Sequence, residues 1–493
     1  MTLAKLKVRQ IAEMFAASDV LIAVAQRDIE VTSITHDSRQ ADKGSLFCCV
    51  PGDRYDGHSF AGDAVARGAS ALLVDHFLPE IDSAVAQIIV TDVRSSLGIV
   101  AAQVHGNPSR QLSVVGITGT NGKTTCATLL YNLFMRLGYK VGLLSTVVNK
   151  IGMDTIPATH TTPNPLALNA LLRAMVDQGC SHCFMEVSSH AVHQHRIFGL
   201  QFRGAVFTNI THDHLDYHQT FAAYIQAKKA FFDELPADAF ALTNRDDRNG
   251  EVMLQNTRAS KSTYALSSIA DFKGLILENE LGGLIMKLND VEVHTQLIGA
   301  FNAYNLLAVY GVGRLLDIPA LELITAISTL ESVEGRFQFF KSTQGVTVVV
   351  DYAHTPDALE NVLKTIGHFR KDTQKIITVV GCGGDRDKGK RPTMAAIAQK
   401  LSTQVILTSD NPRTEDPSQI LKDMQVGINN TSNIPVLAIA DRTQAIQTAS
   451  LLAQTGDVVL IAGKGHEKYQ EIDGVKHPFD DYQIAHSFFN KNN

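Results

Sequence analysis

The sequence predicts an α/β protein of three domains, with a central P-loop parallel-sheet nucleotide domain and a C-terminal Rossmann-like, doubly wound domain. Three observations predict it. At 493 residues the chain is too long for one hydrophobic core, since domains usually run to about 100–200 residues. Apolar runs alternate with Gly-rich turns and amphipathic stretches, as strands joined by helices in a parallel sheet require. From residue 346 onward, runs at 346–354, 376–384, 404–410 and 457–465 each end in a polar, Gly-rich or acidic loop. Ligands of open parallel sheets bind beyond the carboxyl ends of the strands, where such loops lie.

Taken in chain order, residues 1–93 hold SLFCCV (45–50), ASALLVD (69–75) and AQIIVTD (86–92), with the turn-rich PGDRYDGH after the first. They read as a small N-terminal α/β domain. Residues 94–335 repeat strand, Gly-rich turn and helix, and residues 336–493 restart the pattern as a second doubly wound sheet. Two such sheets facing each other would form a cleft, one holding nucleotide and the other closing over it.

Composition narrows the class. The chain is 45% hydrophobic and 19% charged with a formal net charge of −6, a globular balance that gives no electrostatic reason to expect nucleic-acid binding. The six cysteines are too few and too scattered for a disulfide framework, and Cys180 and Cys183 form a single CxxC that reads as packing. Lys5, Lys7 and Arg9 are followed by an apolar stretch that Glu13 and Asp19 interrupt, a poor signal peptide. No run reaches the roughly 18–20 apolar residues of a membrane span. A cytoplasmic protein without membrane contact is expected.

The strongest chemical signal is LSVVGITGTNGKTT at 112–125. An apolar strand runs into glycines at 116, 119 and 122, then Lys123, Thr124 and a helix through about Leu137. Glycines let backbone N–H groups curl around phosphate oxygens, and the helix N-terminus adds its dipole. Lys123 can reach the β- and γ-phosphates, and the Thr124 hydroxyl can sit on Mg²⁺. Ile117 stands where the strict GxxxxGK[ST] pattern has its first glycine, so this loop is a variant.

Two further strand ends carry metal-ligating side chains. CFMEVSSH (183–190) ends in Glu186, and VFTNITHDHLDYH (206–218) opens into a loop containing His214. A carboxylate and an imidazole there could hold a cation beside the phosphates. A zinc site is a poor reading of these histidines, because they lack a thiolate partner and a compact ligand spacing.

These motifs resemble those of the Mur ligases of peptidoglycan synthesis over essentially the full chain. The resemblance is carried by GTNGKTT (119–125), MEVSSH (185–190), NITHDHLDYH (209–218), YIQAKKAFF (224–232), GAFNAYN (299–305), EGRF (334–337), DYAHTPDALE (351–360), GCGGDRDKGKRP (381–392), DNPRTEDP (410–417) and GKGHE (463–467). It implies an ATP- and Mg²⁺-dependent ligase, with Gly119, Thr120, Asn121, Gly122, Lys123, Thr124, Thr125, Asn302, Asn305, Arg336 and Asp351 on the nucleotide side. It implies that Ser38, Asp53, Arg54 and Tyr55 meet the UDP end of a UDP-N-acetylmuramoyl-L-alanyl-D-glutamate substrate. Thr161, Thr162, Ser188, Gln194 and Arg196 would meet its muramoyl peptide. Lys228 matches the lysine that the family carries as a carbamate, a metal ligand together with Thr124, Glu186 and His214. The catalytic set would be Lys123, Glu186, His214 and Lys228, and a monomer is expected.

DNPR (Asp410, Asn411, Pro412, Arg413) follows the run QVILTSD and so sits at a strand's carboxyl end. Arg413 offers a planar fork suited to a carboxylate, and meso-2,6-diaminopimelate differs from lysine by a second carboxylate. In the family this motif marks the diaminopimelate-adding enzymes, and Arg391, Gly463 and Glu467 match other contacts to that amino acid. The basic, Gly-rich loop around Arg391 has no interleaved aromatics, so small-anion binding is expected there in place of nucleic acid. Two alternatives stay open: a folylpolyglutamate synthetase-like ligase, and a P-loop regulatory ATPase that forms no covalent product.

Overall fold

The computed structural model describes residues 6–15, 20–23, 29–52 and 55–490. Three sheets organise them. Nearest the N-terminus is a five-stranded sheet in the order Val20–Ala23, Ala86–Val90, Ala71–Val74, Ser45–Cys48, Ser33–Thr35, with only the first strand antiparallel. The central sheet has eleven strands, and its parallel middle carries Val141–Leu144, His182–Glu186, Ser113–Thr118, Gly204–Phe207, Phe240–Asn244 and Ser260–Ala265 side by side. A six-stranded sheet follows, in the order Gln338–Lys341, Thr347–Asp351, Val458–Ala462, Ile376–Cys382, Gln404–Ser409, Val436–Ala438, antiparallel only at its first strand.

The apolar runs become strands because parallel strands are covered on both faces and need uninterrupted apolar side chains. Val114, Val115 and Ile117 are fully buried, as are Val348, Val349 and Val350 in the last sheet. Ser113–Thr118 lies between Gly204–Phe207 and His182–Glu186, so the three strand ends that carry the phosphate loop, Glu186 and the His214 loop emerge together. The helix Lys123–Arg136 then packs back against the sheet.

The strand-turn-helix repeat expected through the central region is broken at both sheet edges. Val148–Ile151 and Asp154–Pro157 form a hairpin on one side. On the other, Phe272–Glu280, Gly283–Leu288 and Val291–Thr295 form an antiparallel meander. Its second turn places Asn289 and Asp290 at φ 43° and 71°, the left-handed pair that a two-residue hairpin turn demands and that Asn and Asp tolerate. The Asn-Asp dipeptide between Leu288 and Val291 was the available signal.

All six cysteines are buried and free, as packing requires. No helix among the described residues is long and apolar enough to cross a membrane.

One charged interaction holds the C-terminal sheet together from within. Arg442 and Asp481 are fully buried and share two hydrogen bonds of 2.8 and 2.7 Å. The same guanidinium donates to Ser409 O and Ala462 O, the last carbonyls of two neighbouring-region strands. Asp481→Ala would strand a buried cation, and we expect it to cost about 3–5 kcal/mol of stability. A urea midpoint indistinguishable from that of the unaltered protein would refute this account of the pair.

Candidate active site

The phosphate loop is shaped by the strand that follows it in space. Gly119 (φ 151°) and Gly122 (φ 87°) have no room for a side chain: an added Cβ would meet Thr208 Oγ1 at 1.9 Å and Asn305 Oδ1 at 2.6 Å. Thr208 Oγ1 donates to Asn121 O at 2.6 Å, and the Asn121 N–H donates to Asn209 Oδ1 at 2.9 Å. The loop is therefore braced before any ligand arrives. Lys123 Nζ donates to Gly119 O and Thr120 O at 2.9 and 2.8 Å.

The fully buried Lys228 comes from the helix Phe221–Asp233 and donates to the same Gly119 carbonyl at 2.9 Å. Burial, and then the neighbouring Lys123 charge, push its pKa well below that of an ordinary lysine. Lys123 is lowered as well, by burial first, with Glu186 and Asp213 opposing the shift. Two ammonium groups cannot comfortably share one carbonyl in a low dielectric, so Lys228 is the group inclined to give up its proton.

Glu186 is buried at the end of its strand. Its Oε1 accepts from Thr124 Oγ1 at 2.9 Å and from the Thr146 N–H at 2.7 Å, while Oε2 is buried without a hydrogen-bond partner. Such an atom is costly unless something completes it. His214 has a left-handed backbone (φ 54°) and lies beside Asp213. Burial holds its pKa well below the usual histidine value despite that carboxylate, so the imidazole is neutral. An open carboxylate oxygen, a threonine hydroxyl and a neutral imidazole fit a Mg²⁺ ion, the imidazole being the softest of the three donors.

These side chains surround one cavity of about 520 Å³. Of the expected nucleotide-side residues, Thr120, Asn121, Gly122, Lys123, Thr124, Thr125, Asn305, Arg336 and Asp351 line it, together with Glu186, His214 and Lys228. Asn302 stands behind them: it is buried, and its Oδ1 accepts from Asn305 Nδ2 at 3.0 Å, which orients Asn305. Asp351 accepts from the Phe337 N–H at 2.6 Å, and burial pushes its pKa up to about 6.

The C-terminal sheet closes one wall of the cavity. Asn121 Nδ2 donates to Asp357 Oδ2 at 2.8 Å, and Arg336 reaches Thr124 Oγ1 at 3.2 Å while stacking over the Tyr352 ring. His212 Nε2 lies 3.2 Å from Asp387 Oδ2, joining the His214 loop to the loop 383–389. The sequence did not single out Asp357, Tyr352 or Asp387, because nothing in their local pattern shows that they meet the other sheet.

The residues expected to meet the muramoyl peptide are grouped beside this cavity. Thr161 and Ser188 line it. Thr162 is fully buried, and its hydroxyl donates to Glu186 O at 2.8 Å. It thus braces the strand end. Gln194 Oε1 accepts from Arg196 at 2.6 Å, and Arg196 in turn donates to Thr162 O at 3.0 Å. Ser38 begins a short 3₁₀ turn and Tyr55 is exposed in a bend, both in loops that connect strands of the N-terminal sheet. Asp53 and Arg54 lie outside the described residues.

The DNPR segment follows the strand Gln404–Ser409 as expected. Asn411 Nδ2 donates to Glu467 Oε2 and Asn411 Oδ1 accepts from Lys464 Nζ, which also reaches Glu467 Oε2 at 2.8 Å. A Cβ on Gly463 would meet Asp410 Oδ2 at 2.6 Å, so that glycine allows the two loops to touch. Arg413 has φ 52°, donates to Gly384 O at 2.7 Å and remains partly exposed.

Arg391 is the arginine of this loop expected to meet the incoming amino acid. Its side chain is fully buried on the inner face of the helix Lys390–Leu401, where its two terminal nitrogens pair with Glu415 and Asp423 at 2.7–3.0 Å and its Nε has no hydrogen-bond partner. Arg386 lies earlier in the same loop and is exposed. Its Cγ lies beside Gly383 along with the Arg413 guanidinium, and its charge is felt at His190. The sequence holds both arginines in one glycine-rich loop and offers no periodicity to choose between them.

Comparison with known proteins follows the same division. Family models match residues 30–105 (Mur ligase family, catalytic domain), 117–313 (Mur ligase middle domain) and 335–465 (Mur ligase, glutamate ligase domain). A UDP-N-acetylmuramoyl-L-alanyl-D-glutamate--2,6-diaminopimelate ligase of Cytophaga hutchinsonii is 55% identical over 94% of this chain and 96% of its own. The like-named protein of Parabacteroides distasonis is 51% identical over 97% and 99%. A solved structure of a protein of that name superposes with a TM-score of 0.69 at 33% identity, covering 99% of both chains. With a braced phosphate loop, an incomplete carboxylate beside it and relatives this similar from end to end, the chain belongs to the Mur ligase family.

Proposed function

We propose that this protein joins meso-2,6-diaminopimelate to the D-glutamyl carboxylate of UDP-N-acetylmuramoyl-L-alanyl-D-glutamate at the expense of ATP, in peptidoglycan precursor synthesis. The observation that carries the reading is the shared cavity, where Lys123, the unpartnered Glu186 oxygen and Lys228 meet Arg336 from the C-terminal side. Arg336 NH1 also lies 3.4 Å from His466 Nδ1, next to Glu467, so the phosphate loop and the DNPR cluster are neighbours through a single residue.

The substrate carboxylate is ionised at neutral pH and attacks the γ-phosphorus of ATP, breaking the bond to ADP and leaving an acyl phosphate. The amino group of the incoming amino acid then attacks the acyl carbon, loses a proton, and expels phosphate to leave the amide. Lys123 and the loop N–H groups stabilise the transferring phosphoryl group. Magnesium, when bound, adds charge neutralisation there; Thr124, Glu186, His214 and Lys228 as a carbamate would hold it. Lys228 is suited to that modification because its neutral amine can attack CO₂, form an N–C bond and release a proton, turning a buried cation into an anion. Contacts between the sheets keep water from the acyl phosphate.

Arg413 and Arg386 supply the positive charge for the distal carboxylate of diaminopimelate, and Glu467 the negative charge for its ammonium. Burial and the neighbouring Asp410 raise the Glu467 pKa, and Lys464 opposes both.

The deciding experiment supplies purified protein with ATP, the UDP-muramoyl dipeptide and either diaminopimelate or lysine, and follows product by mass spectrometry and phosphate release. Tripeptide product with diaminopimelate, and phosphate release that needs both substrates, are expected; release that needs neither would support a regulatory ATPase instead. Lys123→Ala should lower kcat by at least about 10²–10³-fold with the circular dichroism spectrum unchanged. Arg413→Ala should erode a preference over lysine expected at about 10⁴-fold, and an undiminished preference would remove Arg413 from the specificity site. Lys464→Met takes away the cation that opposes the upward shift of the Glu467 pKa. Its KM for diaminopimelate should therefore be high near neutrality and fall as pH rises, with the KM for ATP unmoved; a pH-independent KM would contradict this role.

A further inference from the structure

Away from the cleft, the N-terminal sheet carries a second group of convergent donors. The strand Ala71–Val74 ends in Asp75 and His76, and the 3₁₀ turn Gly57–Phe60 brings His58 against them. The His58 side chain is only 6% exposed, yet both ring nitrogens face carboxylates: Nδ1 lies 2.7 Å from Asp56 Oδ1 and Nε2 lies 3.1 Å from Asp75 Oδ1. A neutral imidazole has one N–H to give. With Nδ1 hydrogen-bonded to Asp56, Nε2 faces the Asp75 backbone N–H at 3.3 Å and Asp75 Oδ1 at 3.1 Å. Nε2 and Asp75 Oδ1 are close enough to act as two ligands of one cation.

A third group is adjacent. His76 Nδ1 shares a hydrogen bond of 2.5 Å with the same Asp75 Oδ1, a contact that would open for both atoms to hold an ion, and its ring stacks on that of His58 with centroids 4.7 Å apart. The three ligand atoms lie within 4.8 Å of one another. The local field is negative as well: after burial, the charges of Asp56 and Asp75 push the Cys49 thiol up to about 12. That thiol stays protonated, so the donor set is two imidazoles and one carboxylate.

We propose that His58, Asp75 and His76 bind a divalent transition-metal ion of the zinc type, with Asp56 fixing the His58 tautomer. Two nitrogens and one oxygen suit zinc better than magnesium or calcium, and a carboxylate behind a ligating histidine is the usual outer-shell partner. His76 is 60% and Asp75 35% exposed, which leaves an approach for the ion and a place for water as a further ligand.

The test is zinc titration of the full-length, chelator-stripped protein by calorimetry, with Mg²⁺ and ATP saturating so that the cleft histidines are occupied. The unaltered protein should take up one more equivalent of Zn²⁺ than either Asp75→Asn or His76→Ala. Asp56→Asn should keep the site but weaken it by about 10- to 100-fold. Co²⁺ should give a visible absorption band that the two ligand variants lack. Because His76 is on the surface, His76→Ala folds independently of the result. Equal zinc stoichiometry and affinity in all four proteins would overturn the proposal and leave a proton as the cation shared by His58 and Asp75.

Discussion

The Gly119 carbonyl receives two lysines, and much of the active site follows from that crowding. Lys123 enters from the helix that starts the phosphate loop and Lys228 from a helix more than a hundred residues later. In water two ammonium groups would simply separate. Here the strand order places Ser113–Thr118 between its neighbours, and the close fit of Gly119 against Thr208 prevents the loop from moving aside. The strain is electrostatic, and its release is chemical: one amine is favoured neutral and so becomes reactive. Beside it, Glu186 carries an oxygen that no protein group completes. A site with a surplus proton on one side and an unfilled lone pair on the other is prepared for a cation and a polyanion together.

The second constraint is that the C-terminal sheet meets the central one through both apolar and polar contacts. Ile298 and Phe301 pack into the C-terminal core, Phe301 against Phe337. Asn121 with Asp357, Arg336 with Thr124, and His212 with Asp387 are hydrogen bonds between loops across the cleft. Polar contacts of this kind are individually weak, which suits a cleft that must admit a nucleotide and a large sugar peptide and release both. By contrast, the inside of the C-terminal sheet is fastened by the buried Arg442–Asp481 pair, which grips the carboxyl ends of the strands leading into DNPR and GKGHE. Rigid strand ends are a sound way to present an amino acid to a reactive acyl group.

The two arginines of the loop 383–391 show why chemistry and position must be judged separately. Both are cations in a glycine-rich segment. Arg391 falls on the first turns of a helix, with its side chain directed inward to Glu415 and Asp423, and it becomes part of the core. Arg386 falls in the loop before that helix and stays beside Arg413 and Gly383. A displacement of five residues changes an exposed charge into a buried one.

The sequence by itself determined the fold class and the phosphate loop. Parallel strands need continuous apolar runs and a phosphate-binding turn needs glycines ahead of Lys-Thr, and both requirements are written in consecutive residues. It also determined which side chains stand at strand ends, and hence that Lys123, Glu186 and His214 could meet; Lys228, inside a helix, was placed with them only by the resemblance to the Mur ligases. Only the tertiary structure decided what each group is paired with. The meeting of Asn121 with Asp357, the pairing of Arg391 with Glu415 and Asp423, the support of Asn305 by Asn302 and the proximity of His58, Asp75 and His76 all join residues through packing. Local pattern constrains backbone conformation and burial, but the charge state of a buried group depends on neighbours brought close by the folding of distant segments.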